Sequence, residues 1–579
     1  SDQEFVISED GKLVTSPIAL INTGIEAYIK VVKVDAETKK TIPLTGAIFE
    51  IYDSNKNLMT FKEYSSTKHA YVNVTTFETN EEGFILLPEK LQYGTFYLKE
   101  IKAPYGYVLD KELQEFKVTD DTHSEVIYEV SYDDVIDVEK KDMSQKGLIK
   151  IYKEGEVLST IKSEEIDGNT IYSPIYEVKG LKDAVFEIKA AEDIYTPDGT
   201  LRCSKGEVVD TITTGTDGWA ISKELYLGKY IVTEIEAPYG FIINDKPNEV
   251  SLVYAGDQIT VTSSNTSFVN DRQKVEFSVL KEMEIDEIFN IGFSNEIENV
   301  KFGLFAKTEI VALDGTKIPA DGMLEIVSLN EYGIGNCCVD APLGEYYFKE
   351  IETDNHYMID DSSYVVVFAY AGQTVETVSI TANDSIAILN ELKYGNVVGT
   401  KVDENGDPIE GVVFGLFSND ETEFSKETAI LLSTTDENGE FSFENIPYGK
   451  WIVREVETAE SYVLLSTNFD VVINNNDDLV DLGEIENKWI RGNVEATKVD
   501  AEYPDHKLSG ATFEIYYDSN ENGKYDDEDT LVGTLEENDG VYSMENLVYG
   551  TYFLHETKAP EGFLIDDGYY IFKISEFFS

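Results

Sequence analysis

Apolar and polar residues alternate along most of this chain with a period of two, the spacing of a strand with one buried face. The clearest case runs from Gly94 to Lys102, where Phe96, Leu98 and Glu100 fall on one side. The pattern returns four times: Gly228 leads to Glu234, Gly344 to Glu350, Gly449 to Glu455 and Gly550 to Glu556, always six residues apart. Two residues after each glycine stands an aromatic (Phe96, Tyr230, Tyr346, Trp451, Tyr552). Four after it stands an apolar residue (Leu98, Val232, Phe348, Val453, Leu554). Each glutamate therefore shares the face that should be buried. A carboxyl group pointing into a core is costly unless something compensates, so five in one register need a reason.

Other strands repeat with it. Each unit opens on an alternating strand that ends in an inward lysine: Ile29, Val31, Lys33; Ile149, Ile151, Lys153; Phe277, Val279, Lys281; Val397, Gly399, Lys401; Val494, Ala496, Lys498. A second strand carries Phe49, Phe186, Phe302, Phe414 or Phe513, and a glycine-bearing turn precedes most glutamate strands. A closing strand carries Asn22, Asn270, Asn390 or Asn487, and the next lysine always follows 11 residues later. The same step back from Lys153 reaches Asp142, so the first complete unit has Asp where the others have Asn. Asp133, Asp134 and Asp137 compete for that role, and Lys140 occupies a position where an apolar residue is expected.

No stretch reads as a long amphipathic helix. Short alternating strands with frequent turn signals, repeated at domain length, predict an all-β chain: a tandem array of immunoglobulin-like β-sandwich domains forming an elongated rod. The expected divisions are 1–23 (last strands of a preceding, truncated repeat), 24–143, 144–271, 272–391, 392–488 and 489–579 (lacking its last strand). Segments 54–80 and 159–179 are long for loops and are expected to carry small helices or extra strands. The short Asn-to-Lys step leaves few linker residues, which predicts stiff joints. The out-of-phase ends read as an excerpt from a longer array. Head-to-tail strand donation between copies is the weaker alternative to a monomeric rod.

Composition narrows the functional classes. A chain of 579 residues is too long for one core, and 42% apolar with 12% aromatic content is ample for several. The net charge of −65 makes nucleic acid and anionic membrane poor partners. Cys203, Cys337 and Cys338 have neither disulfide-framework nor zinc spacing, and His69, His123, His356, His506 and His555 show no metal spacing. There is no long apolar run for membrane insertion, no signal peptide and no lipidation motif. No nucleophile triad or phosphate-binding loop is present, so no enzyme site is expected.

The polar residues of the buried faces can react with one another. Burial lowers a lysine pKa and raises a carboxyl pKa, and a neutral amine is a nucleophile. A protonated Glu hydrogen-bonded to the Asn carbonyl would make it more electrophilic. Attack would expel ammonia from Asn, or water from Asp, and leave an amide between two side chains. A plain buried Lys–Glu ion pair beside an Asn is the simpler reading. Repetition argues against it, because such a pair is a weak source of stability.

Lys33-Val34-Asp35, Gly46-Ala47-Ile48-Phe49 and Gly94–Tyr107, with its Ala103-Pro104-Tyr105-Gly106-Tyr107 ending, resemble the Cna B-type (SpaA-like, prealbumin-like) domain of Gram-positive surface adhesins and pilins. The resemblance covers nearly the whole chain and is strongest in units one and five. It implies sandwich domains with spontaneous Lys–Asn or Lys–Asp isopeptide bonds promoted by Glu. On this chain the implied sets are Lys33–Glu100–Asp142, Lys153–Glu234–Asn270, Lys281–Glu350–Asn390 and Lys401–Glu455–Asn487. Lys498 with Glu556, and Asn22, would find their partners outside this chain. Three units depart from the pattern. Unit two has Lys153-Glu154-Gly155 and a long insertion, unit three has Glu352-Thr353-Asp354-Asn355-His356 in place of Ala-Pro, and unit four has Glu457-Thr458-Ala459-Glu460-Ser461.

One acidic loop stands apart. Asp518, Asn520, Asn522, Asp526 and Asp529, with Gly523 and the Lys524 carbonyl, have the spacing of a calcium loop. An acidic hairpin turn is the plainer reading, and no cofactor is otherwise required. The expected function is the stalk or shaft of an extracellular bacterial surface adhesin or pilus-like protein. The alternative is an adhesive module that binds a host protein or glycan through segment 54–80 or 159–179.

Overall fold

A computed structural model describes residues 24–120, 135–166 and 168–576. The strand readings for residues 2–22, with Asn22, and the competitors Asp133 and Asp134 lie outside the described residues. Within them the chain is built of strands, with two short 3₁₀ turns at Glu296–Asn299 and Asn383–Ser385.

Each of the first four units is a pair of facing sheets. In unit one the first strand, Glu26–Asp35, runs parallel to the closing strand, Val135–Ser144, with Tyr28 opposite Val135 and Asp35 opposite Asp142. The other sheet has the order Gln114–Val118, Gly94–Lys102, Ile48–Tyr52, Thr76–Glu78. Parallel pairing of first and closing strands recurs between Lys146–Ile166 and Val261–Asn270, between Lys274–Met283 and Thr377–Thr381 with Ile388–Asn390, and between Tyr394–Val402 and Asp478–Glu486. In unit five, among the described residues, Arg491–Thr497 pairs only with Val541–Val548.

Alternation becomes burial. Along Gly94–Lys102, Phe96, Leu98 and Glu100 are buried, and along Gly228–Glu236, Tyr230, Val232 and Glu234 are. Separate apolar clusters fill the sandwiches, such as Ile29, Val31, Phe49, Leu98 and Val138 in unit one and Val397, Phe414, Phe443 and Val453 in unit four. The recurrent ring after the glycine also has a polar role. Tyr230, Tyr346 and Tyr552 hydroxyls and the Trp451 indole N–H each donate to the carbonyl four residues earlier.

Two features go beyond the sequence reading, the first in segment 159–179, where extra strands or small helices are expected. The insertion of unit two is a long hairpin: Lys146–Ile166 runs past the sheet and pairs with Asn169–Gly180, from Glu154 opposite Gly180 to Ile166 opposite Asn169. Its far part docks on unit three. Ile161 is buried in the cluster with Val300, Phe302, Leu324 and Val327, and Leu158 and Tyr172 pack against that cluster. The Leu158 and Ser159 carbonyls accept from the Leu313 and Asp314 N–H groups, and Ile171 pairs with Met323. Segment 159–179 is therefore structural in large part and not a free loop.

The second feature is a repeated joint. The Gln145 side chain donates to the Gly256 and Ile259 carbonyls and accepts from the Ala255 N–H. Gln273 repeats this on Gly372, Val375 and Ala371. Tyr105 packs on Tyr254 and Tyr239 on Tyr370, so the Ala-Pro-Tyr-Gly segment of one unit rests on a Tyr-Ala-Gly turn of the next. Both glutamines are buried, so these bonds face little competition from water.

Candidate functional site

The local fold of the glutamate strand sets the site. Phe49 lies opposite Glu100, and the register then slips so that Ile48 faces Lys102. The same bulge places Phe186 opposite Glu234, Phe302 opposite Glu350, Phe414 opposite Glu455 and Phe513 opposite Glu556. A bulge bends the strand and re-aims one side chain. Here it is the strand's last buried residue, the glutamate.

The first strand brings the lysine over that phenylalanine. Nζ of Lys33 is 5.5 Å from the Phe49 ring centre, and Lys153, Lys401 and Lys498 are each 5.9 Å from Phe186, Phe414 and Phe513. The phenylalanine was legible as a core residue; its place beneath the amine was not.

The closing strand completes the group. In unit one Lys33 Nζ is 2.8 Å from Glu100 Oε1 and 2.5 Å from Asp142 Oδ1, with all three side chains fully buried. In unit two Lys153 Nζ is 3.0 Å from Glu234 Oε2 and in contact with Asn270 Oδ1, and Asn270 Nδ2 donates to Glu234 Oε1 at 2.8 Å. In unit three Lys281 is 3.3 Å from Glu350 and 2.5 Å from Asn390 Oδ1, and Asn390 Nδ2 donates to Glu350 at 2.6 Å. In unit four Lys401 is 3.0 Å from Glu455 and 2.6 Å from Asn487 Oδ1, and Asn487 donates to Glu455 at 2.7 Å. In unit five Lys498 donates to Glu556 at 2.9 Å, and its side chain is 19% exposed against 0% for the other four lysines.

Two details differ from the sequence reading. The Asn nitrogen, not its oxygen, faces the glutamate, and the oxygen faces the lysine. Lys140, at a position where an apolar residue is expected, is buried and donates to Asp110 at 2.6 Å and to the Glu112 carbonyl at 3.1 Å. Asp137 is exposed, opposite Lys30, and takes no part.

Burial also shifts the protons. It pushes the amines of Lys153, Lys281 and Lys401 down, against the pull of their glutamates. It pushes Glu100 up to about 8, against the opposing charge of Lys33, and raises Asp142. Units two to four thus hold a weakened ammonium next to a carboxyl group and a carbonyl carbon, among fully buried side chains.

The acidic loop of unit five is a closed turn. Asp518, which is buried, accepts from the N–H groups of Asn522 and Gly523, while Asn520 and Asn522 side-chain nitrogens donate to Asp526. The Lys524 N–H donates to Asn522 Oδ1, and the Asp526 N–H to Asp529. No group of three or more His, Cys, Asp or Glu side chains among the described residues is arranged to hold a metal ion. No helix among them is long and apolar enough to cross a membrane.

Comparison with known proteins places these sites in context. The profile of the SpaA prealbumin-like fold domain matches residues 27–131, 175–267, 395–488 and 492–577, well over half of the chain. The trypsin-resistant surface T6 protein of Streptococcus pyogenes serotype M6 is 30% identical over 73 residues; this match covers 12% of this chain and 14% of that protein. The chain thus spans about one seventh of that relative's length. Among solved structures, the Bacillus anthracis TIE protein aligns over 81% of this chain and 76% of its own, at 17% identity and a TM-score of 0.43. BcpA, the major pilin subunit of Bacillus cereus, aligns over 60% of this chain and 100% of its own, at 17% identity and a TM-score of 0.26.

Proposed function

The chain belongs to the family of SpaA prealbumin-like fold domains, and on that premise we propose that it is a load-bearing shaft segment of an extracellular surface adhesin or pilus-like fibre, its units closed by internal amide bonds. One observation carries the reading: a fully buried lysine touches both a glutamate and an Asn or Asp in four successive units, always between the first strand and the closing strand.

The geometry supports a proton circuit. The glutamate bridges the attacking and leaving nitrogens, with one oxygen on Lys Nζ and the other on Asn Nδ2. The ammonium gives a proton to the carboxylate, and the freed amine attacks Cγ. The Nζ–Cγ bond forms, the Cγ–Nδ2 bond breaks, and the glutamate hands its proton to the nitrogen that leaves as ammonia and takes the second proton from Nζ, ending protonated beside a neutral amide. In unit one the leaving group is the Asp142 hydroxyl, which departs as water. The product removes a buried charge and constrains the unfolded chain, an effect of about 4–5 kcal/mol for loops of this length by the entropy argument used for disulfides. Tension entering the first strand and leaving the closing strand would pass through the amide rather than through the sheets.

Intact mass of the folded chain tests this. The expected deficit is three ammonia molecules and one water. A mass equal to the sum of the residues would end the proposal.

A second, adhesive reading rests on the hairpin Phe61–Ser65 and Ala70–Val74. At its tip Tyr64 and Tyr71, 55% and 72% exposed, meet edge to face at 5.6 Å. Paired exposed rings suit a host glycan or protein surface. Loss of binding on a glycan or matrix-protein array by Tyr64→Ala with Tyr71→Ala would support it, and unchanged or absent binding would remove it.

A further inference from the structure

Units three and four lack the Ala-Pro pair, and the residue three after the glutamate is a threonine in each. The corresponding residues are Ala103, Ala237 and Ala559 in units one, two and five, and Thr353 and Thr458 in units three and four. Neither threonine points at random. Asn390 Nδ2 donates to Thr353 Oγ1 at 2.8 Å, and Asn487 Nδ2 donates to Thr458 Oγ1 at 2.9 Å.

Each of these nitrogens therefore has two acceptors. One proton goes to the glutamate, Glu350 Oε1 at 2.6 Å or Glu455 Oε1 at 2.7 Å, and the other to the threonine. With both protons held, the amide plane is fixed and its oxygen is turned to the lysine, at 2.5 Å from Lys281 and 2.6 Å from Lys401. The unit-two counterpart, Asn270, is held on its nitrogen by Glu234, and Ala237 has no side-chain oxygen to offer.

We propose that Thr353 and Thr458 are catalytic residues of cross-linking in units three and four, acting on the leaving nitrogen of Asn390 and Asn487. This rests on the amide-forming reading above. In the ground state the hydroxyl oxygen accepts an N–H and orients the carboxamide for attack. As the lysine adds to Cγ, the amide resonance is lost and Nδ2 becomes basic. The glutamate supplies the proton that converts it to ammonia, while the threonine keeps the nitrogen turned towards that carboxyl group. Lysine and asparagine give one amide and one ammonia, with no redox change.

The test uses the full chain made by cell-free synthesis and quenched at intervals. The peptide joining Lys281 to Asn390 is quantified by mass spectrometry against its linear forms, with the Lys153–Asn270 peptide of the same molecule as an internal clock. Thr353→Val should slow linkage in unit three about tenfold, the effect of one well-placed hydrogen bond in a barrier, without slowing unit two. Thr353→Ser, which keeps the hydroxyl, should restore the rate. Thr458→Val should do the same in unit four alone. Equal rates for Thr353→Val and the unmodified chain would overturn the proposal. So would equal slowing by the Val and Ser variants, which would assign the residue to turn packing. Absence of the unit-three cross-link from the unmodified chain would instead refute the amide-forming reading itself. Glu350→Ala, which removes the bridging carboxylate, fixes the unlinked baseline.

Discussion

Lys33 and Asp142 sit on neighbouring parallel strands, two positions out of register, with the Lys33 amine 2.5 Å from the Asp142 carboxyl. The offset matters. Lys33 pairs in register with Lys140, whose side chain is drawn away by Asp110, and this leaves the Lys33 amine to Asp142 and Glu100. Asp142→Ala should therefore reduce the mass deficit, counted from the variant's own residue sum, by one water, while Asp137→Ala, an exposed change, should leave the deficit unaltered. Intact mass of the two variants beside the parent distinguishes them.

Glu234 holds both reacting groups of unit two. Glu234→Ala should restore one ammonia to the mass and leave Lys153 as a buried amine without its counter-charge. Removing one member of such a pair costs about 3–5 kcal/mol, in addition to the lost cross-link. Unit two should become the first to unfold on heating, and protease cleavage mapped against temperature would show it.

Unit one should respond to pH in a direction of its own. Its acceptor is a carboxyl group, and burial lifts Glu100 to about 8 and raises Asp142. Glu100 holds its proton below that value, and Asp142 holds its own more readily than a free carboxyl does. The Asp142 oxygen must leave as water, and an amine does not displace it from a carboxylate, so loss of the proton shared by Glu100 and Asp142 stops the step. Linkage of Lys33 to Asp142 should be fast near neutrality and slow as pH rises through about 8, when followed by the cross-linked peptide in protein folded at each pH.

Ile161 belongs to unit two by sequence and to unit three by packing. Ile161→Ala should lower the stability of unit three by about 2–4 kcal/mol, the usual cost of emptying a buried aliphatic site, and leave unit two intact. Hydrogen exchange resolved by peptide would locate the loss at Lys301–Ala306 and Met323–Ser328.

At the joint between units one and two, one amide side chain holds the Tyr-Ala-Gly turn on which Tyr105 rests. Gln145→Ala leaves the carbonyls of Gly256 and Ile259 and the Ala255 N–H without their partner. Ala255 and Ile259 are exposed, so water can replace the lost partner, and the loss is about 0.5–1.5 kcal/mol per hydrogen bond. Small-angle scattering should report a wider distribution of end-to-end lengths, and proteases should gain access near Gln145.

Much of this was legible because strands write a simple period. The glutamates, the lysines and the 11-residue step from Asn to Lys could be read because they share a buried face with large apolar residues. The residues that escaped share no such signal. Phe49 and its counterparts looked like core, since alternation says that a residue is buried but not what lies above it. Thr353 and Thr458 looked like losses of Ala-Pro, since their meaning lies in a bond to a strand 37 or 29 residues away. The partner of the unit-two hairpin was hidden for the same reason: a strand's periodicity does not name the sheet it will join. The Asn orientation follows from a glutamate oxygen meeting its nitrogen, a contact between strands that alternation does not encode.

The hairpin has a mechanical meaning. It leaves the first strand of unit two just after Lys153, and Asn270 closes that unit later in the chain. An amide between those two residues would turn everything between them into a side branch. Stretching would then leave the hairpin slack, while its far end stays seated in unit three. Such a branch resists bending and twisting between the two units without ever being pulled: a splint beside the cable rather than a length of it.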